Sequence, residues 1–117
     1  HIDGDDIREI FDNKDYSEVG RMKNIELAQH LSHFLHKKGQ NVVVSLVSPY
    51  KDQRETFKHK LGKGILEYYI HTTDIRGREN YHVDGYEAPT EDFCGIDTTN
   101  ISPLDSLKQI ISYAKLG

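Results

Sequence analysis

The sequence is poor in features that would assign it to several common classes. It has one cysteine, Cys94, so no disulfide can close within the chain, and this suits a reducing compartment such as the cytoplasm. No apolar run reaches the roughly 20 residues needed to span a bilayer. No signal-peptide pattern opens the chain, and its first residue is His1 rather than Met, which leads us to expect further residues upstream. An excess of positive charge is also missing. Fifteen Lys and Arg stand against 19 Asp and Glu, for a formal net charge of -4. That balance argues against a general nucleic-acid binder with a basic face and leaves room for a local basic pocket that takes a small anion. There is no repeat, low-complexity tract or linker, so 117 residues are expected to make one domain.

What is present is a globular composition, 36% hydrophobic and 29% charged. Short apolar runs alternate with amphipathic stretches, the pattern of an α/β fold with a mainly parallel sheet. His1 to Asp3 reads as the end of a strand, and Asp5 to Phe11 as a short helix. Ser17 is a suitable N-cap for a long helix that ends near Gly39, a residue suited to the position after a helix. Val19, Met22, Ile25, Ala28, Leu31 and Leu35 recur in it at helical spacing and are expected to face the core. Residues 41 to 47, NVVVSLV, are apolar and β-branched, as in a strand buried on both faces. A helix is expected over Lys51 to Leu61 and strands over Ile65 to Thr72 and Phe93 to Ile96. An irregular loop should fill Thr73 to Asp92. Ser102 and Pro103 open a last helix that runs to about Lys115.

Ligands of such sheets bind at the carboxyl ends of the strands, which directs attention to three segments. Asp3-Gly4-Asp5-Asp6-Ile7-Arg8 sets three carboxylates and an arginine at the junction of a strand and a helix. Carboxylates there can hold Mg²⁺ through its waters or accept a proton from a nucleophilic hydroxyl. They also suit the helix dipole with no functional role at all, and for this segment alone that plainer reading is favoured. Arg21 and Asn24 lie three apart on the long helix, where a guanidinium beside an amide can hold phosphate or sulfate, although taken alone a solvated face with a surface salt bridge is favoured. Ser45-Leu46-Val47-Ser48-Pro49-Tyr50 brings hydroxyls to a strand end, and Pro49 alone would account for the break.

Order and spacing together say more than any one segment. IDGDDIR, then Tyr16-Ser17, Arg21 with Asn24, the helix ending at Gly39, and VSLVSPYKDQR closely resemble the adenylylsulfate kinases from Ile2 to Arg54 without a gap. Tyr86-Glu87-Ala88-Pro89 and Asp97-Thr98 continue the resemblance. It implies a three-layer P-loop kinase-like fold. It also implies transfer of the γ-phosphoryl group of ATP to the 3′-hydroxyl of adenylylsulfate, with Mg²⁺, in sulfate activation. By similarity, Asp5 would be the base or orienter of the attacking hydroxyl and Asp3 would support Mg²⁺. Arg8, Arg21 and Asn24 would grip the phosphosulfate. Tyr16, where the family has Phe, would stack on adenine, and Val47 and Ser48 would line the same pocket. The implied partners are small nucleotides, with neither nucleic acid nor membrane, and a homodimer is allowed.

Two departures accompany the match. The family's G-x-x-x-x-G-K-[ST] phosphate loop is absent from this sequence, so the chain as written is not expected to be a competent kinase. The complete protein is expected to carry that strand, loop and helix upstream. The basic lid, placed over 73 to 92, is compressed to Asp74 through Gly85, with Arg76 and Arg78 as its candidate cations. This leaves open a related kinase with a different acceptor, or a non-catalytic nucleotide-binding module. His30, His33 and His36 are spaced by threes and read as an exposed polar face rather than a metal site. Cys94 reads as a packing residue, and Tyr68, Tyr69 and Tyr81 as strand and loop packing.

Overall fold

A two-residue strand, β1 (Ile2–Asp3), begins the chain because Ile2 can bury its side chain while its N–H donates to the Val43 carbonyl at 2.8 Å. The computed structural model describes residues 1–73 and 85–116. The chain forms two compact units, His1–Leu61 and Gly62–Gly117.

In the first unit β1 is parallel to β2 (Val44–Ser45), with Ile2 opposite Val44 and Asp3 opposite Ser45. Asp3 ends the strand and caps helix α1 (Gly4–Ile10). Its backbone is extended, and its Oδ1 accepts from the Asp5 N–H at 3.1 Å. Helix α2 (Glu18–Lys37) starts at Ser17, whose Oγ accepts from the Gly20 N–H at 3.4 Å. It ends in a Schellman turn. Gly39 takes a φ of 87°, its N–H donates to His36, and the Gln40 N–H reaches back to the Leu35 carbonyl. Helix α3 (Lys51–Leu61) has the bounds expected from its polar helix-forming sequence.

The core of this unit is Ile2, Ile7 and Ala28, against which Leu27, Leu31, Leu35, Val42 and Leu46 pack. A fully buried aliphatic side chain such as Ile7 contributes roughly 1.5–3 kcal/mol of transfer free energy. The buried stripe of α2 is not the one expected. Ile25 and Ala28 are buried and Leu31 and Leu35 are half-buried, but Val19 is 74% exposed and Met22 is exposed as well. Gly20, Asn24 and Ser32 complete the buried face. The reason is phase. At 100° per residue Val19 points about 140° from Asn24, so a stripe centred on Asn24 and Ala28 turns it outward. The expectation for residues 41–47 also changes. Val43, Val44 and Val47 are exposed, and only Val44–Ser45 is strand, paired along one edge among the described residues.

In the second unit β3 (Tyr68–His71) and β4 (Cys94–Asp97) pair in parallel, Tyr68 opposite Cys94 and His71 opposite Asp97. Ser102 caps helix α4 (Pro103–Leu116), its Oγ accepting from the Asp105 N–H at 3.1 Å. Tyr68 donates its hydroxyl to the Ile110 carbonyl at 3.0 Å and meets Tyr113 edge-on, while Ile96 is fully buried. Tyr69 stacks on His71 and Tyr86 and meets Phe93 edge-on. Tyr68 and Tyr69 are thus packing residues, and Cys94 is a half-buried free thiol. Arg76, Arg78 and Tyr81 lie outside the described residues, as does 74–84 of the lid-like loop. Among the described residues no helix is long and apolar enough to cross a membrane.

A Cβ at Gly20 would clash with the carbonyl oxygen and side chain of Asp15. Alanine ordinarily gains about 1 kcal/mol over glycine within a helix. Here the clash outweighs that gain, so Gly20→Ala is expected to lower stability by about 1–3 kcal/mol in urea unfolding. An unchanged or raised midpoint would contradict the packing described.

Candidate functional site

The carboxyl ends of β1 and β2 lead into the first turns of α1 and α3, and the start of α2 closes the same corner. Its keystone is Asn24, 6% exposed, whose Nδ2 donates to the Gly4 carbonyl at 3.2 Å. Position 4 has little room for a side chain. A Cβ there would come within 3.0 Å of Leu46 Cβ and 3.9 Å of Asn24 Nδ2. The Asn24 Oδ1 is buried and has no hydrogen-bond partner among the described residues. Ser48 Oγ is in the same condition. Buried oxygens without partners are costly, so each calls for an explanation.

Arg8 and Tyr16 come together away from that pair. The Arg8 Nη1 donates to the carbonyls of Asn13 and Asp15 at 3.1 and 3.0 Å, and its guanidinium lies 4.0 Å from the centroid of the exposed Tyr16 ring. One face of Tyr16 is therefore already covered by a cation. The loop that presents the pair ties itself together. Asn13 Oδ1 accepts from the Asp15 N–H, Asn13 Nδ2 donates to the Gly20 carbonyl, and Asp15 Oδ1 accepts from the Ser17 N–H. Hydrogen bonds from the Ser17 hydroxyl and backbone, with Arg8 a smaller attraction, hold the Asp15 carboxyl below the usual carboxylate range.

The other expected residues take distinct places. Asp3 spends Oδ1 on the α1 cap, and Asp5 is exposed in the first turn of α1. Arg21 is half-buried, and its guanidinium makes no hydrogen bond or ion pair among the described residues. Val47 is exposed and Pro49 is fully buried. The three histidines of α2 form no metal cluster: among the described residues no three metal-binding side chains group together. His33 is half-buried, and burial with nearby Lys37 and Lys60 holds its pKa below the ordinary histidine value. Sequence reasoning missed Asn13, Asp15, Gly20 and Gln53, and it gave Arg54 a place in the shared motif without a role. The Asn-x-Asp-x-Ser spacing of the loop was a readable turn signal.

The match to the adenylylsulphate kinase family model runs over residues 1–106. The chain belongs to that family. A probable adenylyl-sulfate kinase of Pyrococcus abyssi is 27% identical to it over 97% of the chain and 76% of the relative. An adenylyl-sulfate kinase of Pseudomonas aeruginosa is 29% identical over 96% of the chain and 67% of the relative. One from Buchnera aphidicola is 30% identical over 87% of the chain and 52% of its own length. The chain thus spans between half and three quarters of these curated relatives. No solved structure matches it. Helices with parallel strand pairs agree with the P-loop kinase-like α/β fold of this adenylylsulphate kinase-family chain.

Because the folded-state pKa of Asp15 is depressed, its charged form stabilises the fold above the unfolded carboxylate pKa. That contribution is lost as pH falls through the folded value. The acid side of a stability–pH curve should therefore be shallower in Asp15→Asn than in the parent chain. Identical slopes in urea titrations across the acid range would refute the assignment.

Proposed function

We propose that this chain supplies the acceptor side of an ATP-dependent adenylylsulfate kinase, which phosphorylates the 3′-hydroxyl of adenylylsulfate in sulfate activation. The observation that carries the reading is the anchored Asn24 with its unpartnered Oδ1, one helical turn from an uncommitted Arg21. Its Nδ2 is held by Gly4, so the open atom is an acceptor. It suits a hydroxyl or amino donor of the nucleotide, while Arg21 supplies the fork that grips the phosphosulfate. Ser48 and Val47 line the opposite wall. Tyr16, backed by Arg8, offers its other face to adenine, with Arg8 near enough to add charge.

In this reading Asp5 receives or orients the proton of the attacking hydroxyl. The strand-end carboxylates fit Mg²⁺, which keeps several waters and takes one or two carboxylates, and Asp3 retains one oxygen outside the α1 cap for such a contact. When bound, the ion would neutralise charge on the transferred phosphoryl group. The chain has no glycine-rich nest with a lysine to cradle the ATP phosphates, so we assign no ATP-binding residues within it. We read residues 1–117 as part of one kinase-like domain with 73–92 as its lid. The compressed lid sequence favours one second reading, a kinase of a related acceptor.

Calorimetric titration of the chain with adenylylsulfate and with AMP tests the proposal. Arg21→Ala should weaken adenylylsulfate binding by about tenfold or more, as expected for loss of a charge-assisted contact, and weaken AMP binding less. Equal losses for both ligands would place Arg21 outside the phosphosulfate pocket. Stronger binding of another nucleotide by the parent chain would favour the second reading.

A further inference from the structure

Arg54 sits in the first turn of α3, is only 8% exposed, and donates from Nη1 to the Ser48 carbonyl at 2.6 Å. This is an unfavourable place for a buried cation. Helix N-termini repel positive charge, and burying a guanidinium costs solvation unless its donors are used. The residue ahead of α3 is Tyr50, which cannot cap the helix as Ser, Thr, Asp or Asn would. The chain leaves β2 through Ser48 and the fully buried Pro49, and Arg54 reaches back over this turn to fix the carbonyl of Ser48. Its neighbour Gln53 donates Nε2 to the Met22 carbonyl at 2.9 Å, on the stretch of α2 between Arg21 and Asn24. Two adjacent residues of α3 thus anchor the Ser48 turn and the α2 backbone at Met22, between Arg21 and Asn24.

We infer that Arg54 is a positioning residue that holds the Ser48 turn so that the Ser48 hydroxyl faces the acceptor nucleotide, with Gln53 fixing the α2 wall opposite. This rests on the acceptor-side reading above. Arg54 itself touches no substrate in this account. It acts through the carbonyl geometry of Ser48, and its planar fork is what lysine lacks.

The test uses the whole chain, labelled with carbon-13 and nitrogen-15, as parent and as Arg54→Lys. Two quantities are read: the carbonyl resonance of Ser48, and the affinity for adenylylsulfate by calorimetry. Arg54→Lys is expected to move the Ser48 carbonyl resonance and to weaken adenylylsulfate by about tenfold, the loss typical of a hydrogen bond to a charged group. A shifted carbonyl with unchanged affinity overturns the inference, because Arg54 is then structural only. An unmoved carbonyl overturns it as well. Ser48→Ala leaves the arginine and the backbone in place, so it serves if Arg54→Lys does not fold. It should also weaken adenylylsulfate several-fold, since it removes a hydroxyl meant to bond the ligand, and undiminished affinity would end the proposal. A parent chain that does not bind adenylylsulfate sinks the acceptor-side reading, and this inference with it. A parent chain that binds while both variants match it sinks only the role of Arg54.

Discussion

The side chain of Asn24 crosses from α2 to the carbonyl of Gly4, in a position closed to solvent. Most of the first unit depends on that bond. It brings α2 against the turn where β1 becomes α1, where a Cβ at Gly4 would press closely on Leu46 Cβ. A buried amide with one end satisfied is stable only if it is pre-set for something or tolerated at a cost of about 1–3 kcal/mol. The helix, the strand end and the open Oδ1 are therefore parts of one arrangement, and the small core of Ile2, Ile7 and Ala28 lies beside it.

Around this point the unit commits several polar groups before any ligand arrives. Asp3 caps α1, and Arg8 gathers two loop carbonyls and covers Tyr16. Asp15 and Asn13 stiffen the loop, and Gly20 gives it room. Groups held in this way lose little freedom when a ligand binds, which is how a site gains affinity without more contacts. Asn24 Oδ1, Ser48 Oγ and Gln53 Oε1 are buried without a hydrogen-bond partner among the described residues.

The local signals of the sequence were legible because each acts within a few residues. Ser17 and Ser102 cap their helices, Gly39 adopts the left-handed turn after α2, and α3 runs from Lys51 to Leu61 as its composition implies. The strand-end segments around Asp3 and Ser48 were legible too, through the spacing shared with the adenylylsulphate kinases. What escaped the sequence depends on tertiary partners. Val19 and Met22 belong to the helical repeat by hydrophobicity, but the stripe turns toward Asn24 because the Gly4 carbonyl is there to receive it. Val43, Val44 and Val47 look doubly buried, yet their surroundings among the described residues cover little of them, and of the valines in the run only Val42 packs on the core. Arg54 was visible as the arginine that closes the VSLVSPYKDQR motif, but its bond to the Ser48 carbonyl depends on a tertiary fold-back that the spacing alone does not show.

We propose that the corner formed by Gly4, Arg21, Asn24 and Ser48 receives the acceptor nucleotide. The most direct measurement is amide chemical-shift mapping of the nitrogen-15-labelled chain during titration with adenylylsulfate. Saturable shifts concentrated at Gly4, at Arg21 to Asn24 and at Val47 to Ser48 are expected. Shifts confined to residues beyond Leu61, or saturating shifts that leave this corner unmoved, would contradict it.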